Sequence, residues 1–268
     1  MVLCYNADMR VINLSSGSDG NLTFLENDGV KILIDAGLSC AEIVKRLELI
    51  GVKPSEIEAI FLTHEHVDHV KGVDIFSGKY NTPVFAHEKV WLNFDQKAQR
   101  ISSLNRRAFS GEFLFKNLGV KPVEIPHDVV CFGYSFQDGD KKISILTDLG
   151  HTNDAILSSI ANSQLVYLES NYDRRKLMEG TKYPLSLKMR IDGPNGHLSN
   201  DASSEAAEYL VATGTRQLVL SHLSKENNTP DLAYNHMCEK LRMRGIDEGV
   251  DVKIDVASTR PGVFFRLK

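Results

Sequence analysis

The sequence predicts a single α/β domain over residues 1–268, with mostly antiparallel sheets at its core and helices outside. Three observations lead there. Short apolar runs alternate with helix-length amphipathic segments from one end to the other. No Pro/Ser-rich linker, low-complexity tract or internal repeat divides the chain. Its 268 residues, 42% apolar and 25% charged, are enough for one full core and ordinary for a globular protein.

The elements read in order as follows. Arg10–Leu14 and Leu22–Glu26 are strands joined by the Gly/Ser-rich turn Ser15–Asn21. Val30–Gly37 is a third strand, and Ser39–Gly51 a helix with Ser39 as N-cap and Gly51 as terminator. Ala59–Thr63 is a buried strand, Val70–Tyr80 a helix and Pro83–His87 a strand, while residues 88–110 mix helix and loop. Residues 113–150 are strand-rich. Then come the helix Thr152–Asn162, the strand Gln164–Ser170, the helix Asn200–Gly214 capped at Ser199 or Asn200, and the strand Arg216–His222. The helix Pro230–Gly245 and the strands Asp251–Ala257 and Gly262–Lys268 follow.

Composition narrows the function. No apolar run is long enough to span a membrane, and the first residues lack the basic-then-apolar pattern of a signal peptide. Cys4, Cys40, Cys131 and Cys238 are scattered with no C-x-x-C pair, so the expectation is reduced thiols in a cytoplasmic protein. A net charge of −4 argues against a large nucleic-acid footprint. The cations Arg100, Arg106, Arg107, Arg174, Arg175, Lys176, Lys182, Lys188 and Arg190 still leave room for a local basic groove.

The densest chemistry is "THEHVDHVKG", which places His64, His66, Asp68 and His69 on one turn directly behind an apolar strand. A single histidine is more often structural than functional. Imidazole and carboxylate at this spacing are instead the usual donors for zinc, iron or manganese. Farther along, His127 follows "PVEIP", Asp148 follows "ISILT" and His222 follows "QLVLS", while Asp35 ends "KILI". A rigid sheet edge holds ligands to the tolerance that a metal site needs.

In this order Asp35, His64, His66, Asp68, His69, His127, Asp148 and His222 resemble the motifs of the metallo-β-lactamase fold, over essentially the whole chain. The resemblance implies an αββα sandwich with two divalent metals at one edge. His64, His66 and His127 would hold one metal, Asp68, His69 and His222 the other, and Asp148 would bridge them. Asp35 would steady the ligand loop. "SSGSDGN", "IPHDVV", "LTDLGH", "LESNYD", "GHLSN" and "SHLSKENN" resemble the WalJ/YycJ (VicX) group of bacterial proteins, related to the nuclease branch of that fold. That resemblance implies a DNA exonuclease.

Metal ions at such a site activate a water for hydrolysis, with Asp68 placed to orient it. Glu169 in "VYLESNYD" and His197 in "PNGHLSND" resemble a pair in tRNA-processing members, in which the histidine acts near the scissile phosphate and the glutamate orients it. A cationic histidine can neutralise charge on the phosphoryl group or protonate the leaving oxygen. Because Glu169 is read as only an orienting group, Glu169→Gln is expected to cost less activity than His197→Ala. Ser16, Ser18 and Asn21 in the first turn are candidate phosphate contacts, against the alternative of a plain hairpin turn. His87, His151 and His236 are read as structural or surface residues.

The leading expectation is therefore a metal-dependent phosphodiester hydrolase acting on DNA. The alternative is a thioester or lactone hydrolase on the same site, in which His197 would be dispensable. Di-iron oxidoreduction lacks the electron-donor domain it usually needs, and the full ligand set argues against a decayed regulatory relative. No membrane association and no obligatory protein partner are expected.

Overall fold

Strands and helices alternate along the computed structural model, which describes residues 9–267. Cys4 lies outside the described residues. The elements are β1 (Met9–Ser15), β2 (Leu22–Asn27), β3 (Val30–Ile34), α1 (Cys40–Leu49), β4 (Ala59–Leu62), α2 (Val67–Val70), α3 (Val73–Tyr80), β5 (Val84–His87), α4 (Glu88–Phe94) and β6 (Arg106–Phe109). They continue with β7 (Phe113–Phe115), β8 (Leu118–Ile125), β9 (Cys131–Asp138), β10 (Lys141–Leu146), α5 (Asp154–Ile160), β11 (Leu165–Glu169), α6 (Arg174–Glu179), α7 (Leu185–Ile191), α8 (Asn200–Ala212), β12 (Gln217–Ser221), α9 (Pro230–Met243), β13 (Lys253–Val256) and β14 (Val263–Leu267). Among the described residues no helix is long and apolar enough to cross a membrane.

The chain divides into two compact units, and neither is a continuous stretch. Unit 1 runs through Ser15, resumes over Gly20–Phe109 and takes the chain again from Arg260. Its seven-stranded sheet has the order β14-β1-β2-β3-β4-β5-β6. β14, β1, β2 and β3 pair antiparallel, and β3 through β6 pair parallel. All four residues of β4 are buried, the continuous apolar run expected of a parallel strand. The helix α1 starts where the Ser39 hydroxyl accepts from Glu42 N and stops before Gly51, whose φ of +73° no longer continues it.

Unit 2 comprises Ser16–Asp19 and Ser110–Thr259. Its sheet has the order β13-β12-β11-β10-β9-β8-β7, antiparallel from β7 to β10 and parallel from β10 to β13. The helices α5, α8 and α9 lay Ile156, Ile160, Ala207, Leu210, Met237 and Leu241 into one apolar cluster with the sheet residues Leu146, Val166, Leu168, Leu218 and Leu220. Ser199 caps α8, its hydroxyl accepting from Ala202 N at 3.2 Å.

Two expectations need correction, and one unassigned stretch is filled. The sheets are mixed, with as many parallel as antiparallel neighbours, because the helical connections after β3, β4, β5, β10, β11 and β12 return the chain in the same direction. The helix expected over Val70–Tyr80 is broken into α2 and α3. Gly72 N donates to Ala36 O at 2.8 Å at the break, a bond that ties the segment to the end of β3. The stretch between β11 and α8, unassigned from sequence, holds α6 and α7.

Candidate metal-ligand clusters

In unit 1 the parallel strands β3 and β4 end side by side, and the chain turns polar at both ends. Asp35 follows β3 and Thr63 follows β4. Asp35 adopts φ +58°, a left-handed conformation that costs a non-glycine residue on the order of 1 kcal/mol or more and is retained where the surroundings over-determine it. Here they do. Its carboxylate accepts from Thr63 N at 2.9 Å, from the Thr63 hydroxyl at 3.0 Å and from His69 Nδ1 at 2.7 Å.

These bonds assign protons. The Thr63 hydroxyl has one hydrogen, given to Asp35, so towards His64 Nδ1 at 2.9 Å it is the acceptor. His64 and His69 therefore both carry their proton on Nδ1, and both present an Nε2 lone pair. That is the tautomer a metal requires, fixed by a carboxylate and a hydroxyl behind the rings. The His64 ring lies 4.7 Å from His66 and 4.1 Å from His69, centroid to centroid. His66 stands at the N-terminal boundary of α2, without a side-chain capping bond, and Asp68 lies in its first turn. Asp35, expected to steady the loop, is in contact with it; Thr63 shares the task and was not read from sequence.

The loop is also pinned through its backbone. Asn21 N donates to Asp68 O at 2.7 Å, Ala36 N to His69 O at 2.8 Å and Gly37 N to Asn21 O at 2.9 Å. A Cβ on Gly37 would fall 1.6 Å from Asp68 O. Gly37→Ala is accordingly expected to displace the ligand loop at a cost of roughly 1–3 kcal/mol or more. A denaturant midpoint and metal content equal to wild type would contradict this.

In unit 2 the parallel strands β10, β11 and β12 are neighbours, so their C-terminal ends share one sheet edge. Asp148 comes two residues after β10, Glu169 ends β11 and His222 follows β12. β8 points the same way, being antiparallel to β9, which is antiparallel to β10; it delivers His127. His197 comes from the loop before α8. Asp148 and His222 adopt φ +63° and +55°, like Asp35. His222 N donates to the Ser16 hydroxyl at 2.8 Å, and Asn171 Nδ2 donates to His222 O at 2.6 Å.

Glu169 organises this group. Oε1 lies 2.9 Å from His197 Nδ1 and 2.8 Å from His222 Nδ1, and Oε2 accepts from Leu149 N at 2.9 Å and Leu198 N at 3.1 Å. The side chain is completely buried. Burial opposes its charge, but His197 and His222 hold its pKa below the ordinary carboxylate value. Burial likewise works against His197, yet Glu169 and then Asp148 carry its pKa above the ordinary imidazole value. Ligand atoms of Asp148, Glu169, His197 and His222 lie within 4.8 Å of one another. Glu169 has four donors, so it reads as the group that orients His197 and His222. His127 Nδ1 faces Gly196 O at 3.2 Å, leaving Nε2 as the accepting nitrogen, and burial lowers its pKa. The donor set of each unit, lone-pair imidazoles with carboxylates, fits a divalent metal.

The remaining named residues are placed as follows. Ser16 is buried under His222, Ser18 is exposed, and Asn21 turns its carboxamide to Asp68 and His69. His87 caps α4, His151 Nδ1 meets Pro194 O at 2.9 Å, and His236 pairs with Asp201 at 3.1 Å. Asn171 was missed from sequence; an amide two residues after the strand-end Glu169 is its only signal.

A family model described as a β-lactamase superfamily domain matches residues 30–223. The chain is 35% identical over 246 residues, 90% of its length and 91% of the relative's, to a Streptococcus pneumoniae protein called exodeoxyribonuclease WalJ. It is 31% identical over 251 residues, 92% of this chain and 94% of the relative, to exodeoxyribonuclease YycJ of Bacillus anthracis. Among solved structures, the metallo-β-lactamase fold protein YhfI of Bacillus subtilis aligns over 97% of this chain and 100% of its own, with a TM-score of 0.72 at 15% identity.

Proposed function

The chain belongs to the β-lactamase superfamily, and on that premise we propose that it is a metal-dependent phosphodiester hydrolase that degrades DNA as an exonuclease. The observation that carries the phosphodiester reading is the Glu169–His197 pair: a histidine held at 2.9 Å by a buried carboxylate, within 3.7 Å of Asp148. Identity over nine tenths of the chain to two proteins called exodeoxyribonucleases supports DNA as the substrate.

The proposed ligands follow the motif order. His64, His66 and His127 would hold one divalent ion, Asp68, His69 and His222 a second, and Asp148 would serve both. Bound zinc, manganese or iron supplies Lewis acidity and an activated water. The chain's own groups do the rest. Asp35 and Thr63 keep His64 and His69 in the ligating tautomer. Asp68 would orient the water so activated. His197, its Nδ1–H engaged by Glu169, turns Nε2–H to the phosphoryl group or the departing oxygen and stabilises the charge that builds there. Residues 1–268 are proposed to act as one domain, because each unit is completed by chain from both sides of the other. A cytoplasmic location is proposed from the scattered cysteines, of which Cys40 and Cys238 are free thiols.

The test is a hydrolysis panel on the metal-reconstituted protein: bis-p-nitrophenyl phosphate, a thioester, a lactone, and single- and double-stranded DNA and RNA. Turnover of DNA from its ends with little thioester or lactone cleavage is expected; the reverse preference would overturn the reading. DNA binding itself is expected to be weak and salt-sensitive, given the net charge of −4. Its log–log salt slope should steepen by about −0.9 per phosphate contact on duplex DNA. Tight binding that is equal at low and high salt would contradict this.

A further inference from the structure

We propose that Asn21 is a positioning residue that occupies the ligating nitrogen of His69 while the protein is metal-free and surrenders it when metal binds. The inference rests on the reading of His69 as a metal ligand and deepens it.

Asn21 is buried, and its backbone is held on both sides, N to Asp68 O at 2.7 Å and O from Gly37 N at 2.9 Å. Its carboxamide is therefore placed by the loop and needs no metal to fix it. Nδ2 lies 2.9 Å from His69 Nε2 and 3.4 Å from both Asp68 Oδ2 and Asp68 O. For a neutral His69, the form a metal binds, the proton count leaves one arrangement. His69 gives its Nδ1 hydrogen to Asp35 at 2.7 Å, so Nε2 is an acceptor, and Asn21 Nδ2 donates to it. The opposite amide orientation would set Oδ1 against that lone pair.

An imidazole nitrogen has one lone pair and so takes one partner, either the Asn21 N–H or a metal ion. Loading the site at His69 breaks this hydrogen bond, while the contacts of the amide to the two Asp68 oxygens persist. The consequence is twofold. In the metal-free protein a completely buried acceptor is satisfied, which keeps the ring in ligating position. In exchange, the metal must displace a donor, which weakens its apparent affinity.

The readout is metal binding and stability, not catalysis. Zn²⁺ is titrated into metal-free protein against a chromophoric chelator. Asn21→Ala loses a bond present only in the metal-free state, so its affinity should rise roughly 2- to 12-fold, the range of one hydrogen bond. Its melting temperature should fall more without metal than when Zn²⁺ is saturating, because the contacts to Asp68 are lost in both states and the bond to His69 only in the metal-free one. Unchanged or weaker affinity, or equal losses of melting temperature in both states, would overturn the proposal. A second measurement uses wild type alone: ¹⁵N-histidine spectra of the metal-free protein should show His69 protonated at Nδ1, with Nε2 moving on Zn²⁺ addition. Protonation at Nε2 would overturn it equally. Absence of Zn²⁺ binding by wild type would remove the ligand reading and this inference with it. A failed nuclease panel beside a positive exchange result would remove only the proposed substrate.

Discussion

His197→Ala is expected to lower kcat on DNA by roughly 10²–10⁴, the usual size of a lost general acid or charge-stabilising group, while metal content and fold are retained. The side chain is bound through Nδ1 to Glu169 and is partly exposed on its other side, so its removal leaves Glu169 Oε1 still engaged by His222 at 2.8 Å. The loss should shrink on p-nitrophenyl esters, whose leaving group needs little protonation. Near wild-type DNA cleavage, with chemistry rate-limiting, would remove the main reason to prefer phosphodiesters over thioesters or lactones. Glu169→Gln is the informative companion. From sequence its effect is expected to be the milder one, because Glu169 is assigned only to His197. The structure changes that expectation. Four donors converge on this carboxylate, and a glutamine amide must turn its NH₂ towards one pair of them. Glu169→Gln is therefore expected to lose at least as much activity as His197→Ala, and metal as well, because His222 loses the partner that sets its tautomer. Elemental analysis and kcat at saturating metal check both parts. Full metal content with a small loss of kcat would restore the milder reading.

Replacing His66 and His69 together by alanine is expected to take metal from about two ions per chain to one or fewer, with loss of nearly all activity. Each ion loses one of its proposed ligands in this variant. His69 is fully buried and bonded to Asp35, so its loss also leaves a buried carboxylate short of a donor, and stability should drop. His66 is less buried, and its side chain makes no capping bond to α2. The single change His66→Ala therefore separates metal loss from fold loss. A double variant that binds as much metal as wild type would show the ligand assignment to be wrong.

The element list and the candidate ligands were largely legible in the sequence because both are local signals. Five polar residues behind five apolar strands, Asp35, His64, His127, Asp148 and His222, mark where strands end. Strand direction was not legible. Nothing in "ISILT", "LVYLE" or "QLVLS" says that β10, β11 and β12 run parallel; the helices returning the chain decide that. The helix α7 escaped because its apolar residues Leu185, Leu187, Met189 and Ile191 alternate with polar ones, a period of two rather than 3.6, and none of them is buried. The break at Gly72 is a tertiary effect, set by a bond to Ala36. Thr63 looked like the last residue of a strand; its role appears only when its single hydroxyl proton has to be assigned between Asp35 and His64.

The pairing of β1 with β14 has a consequence for biosynthesis. Asn13 pairs with Val263, and Met9 with Leu267, partners about 250 residues apart in the chain. On the ribosome, the outer edge of β1 stays open until the roughly 250 residues that separate it from β14 have been translated. At about 5–20 residues per second that interval is on the order of ten to fifty seconds. An open, apolar strand edge is a template for pairing with other chains. The sheet that carries the His64–His69 loop is thus completed last, and the nascent chain passes through a long window in which chaperones have a defined edge to shield.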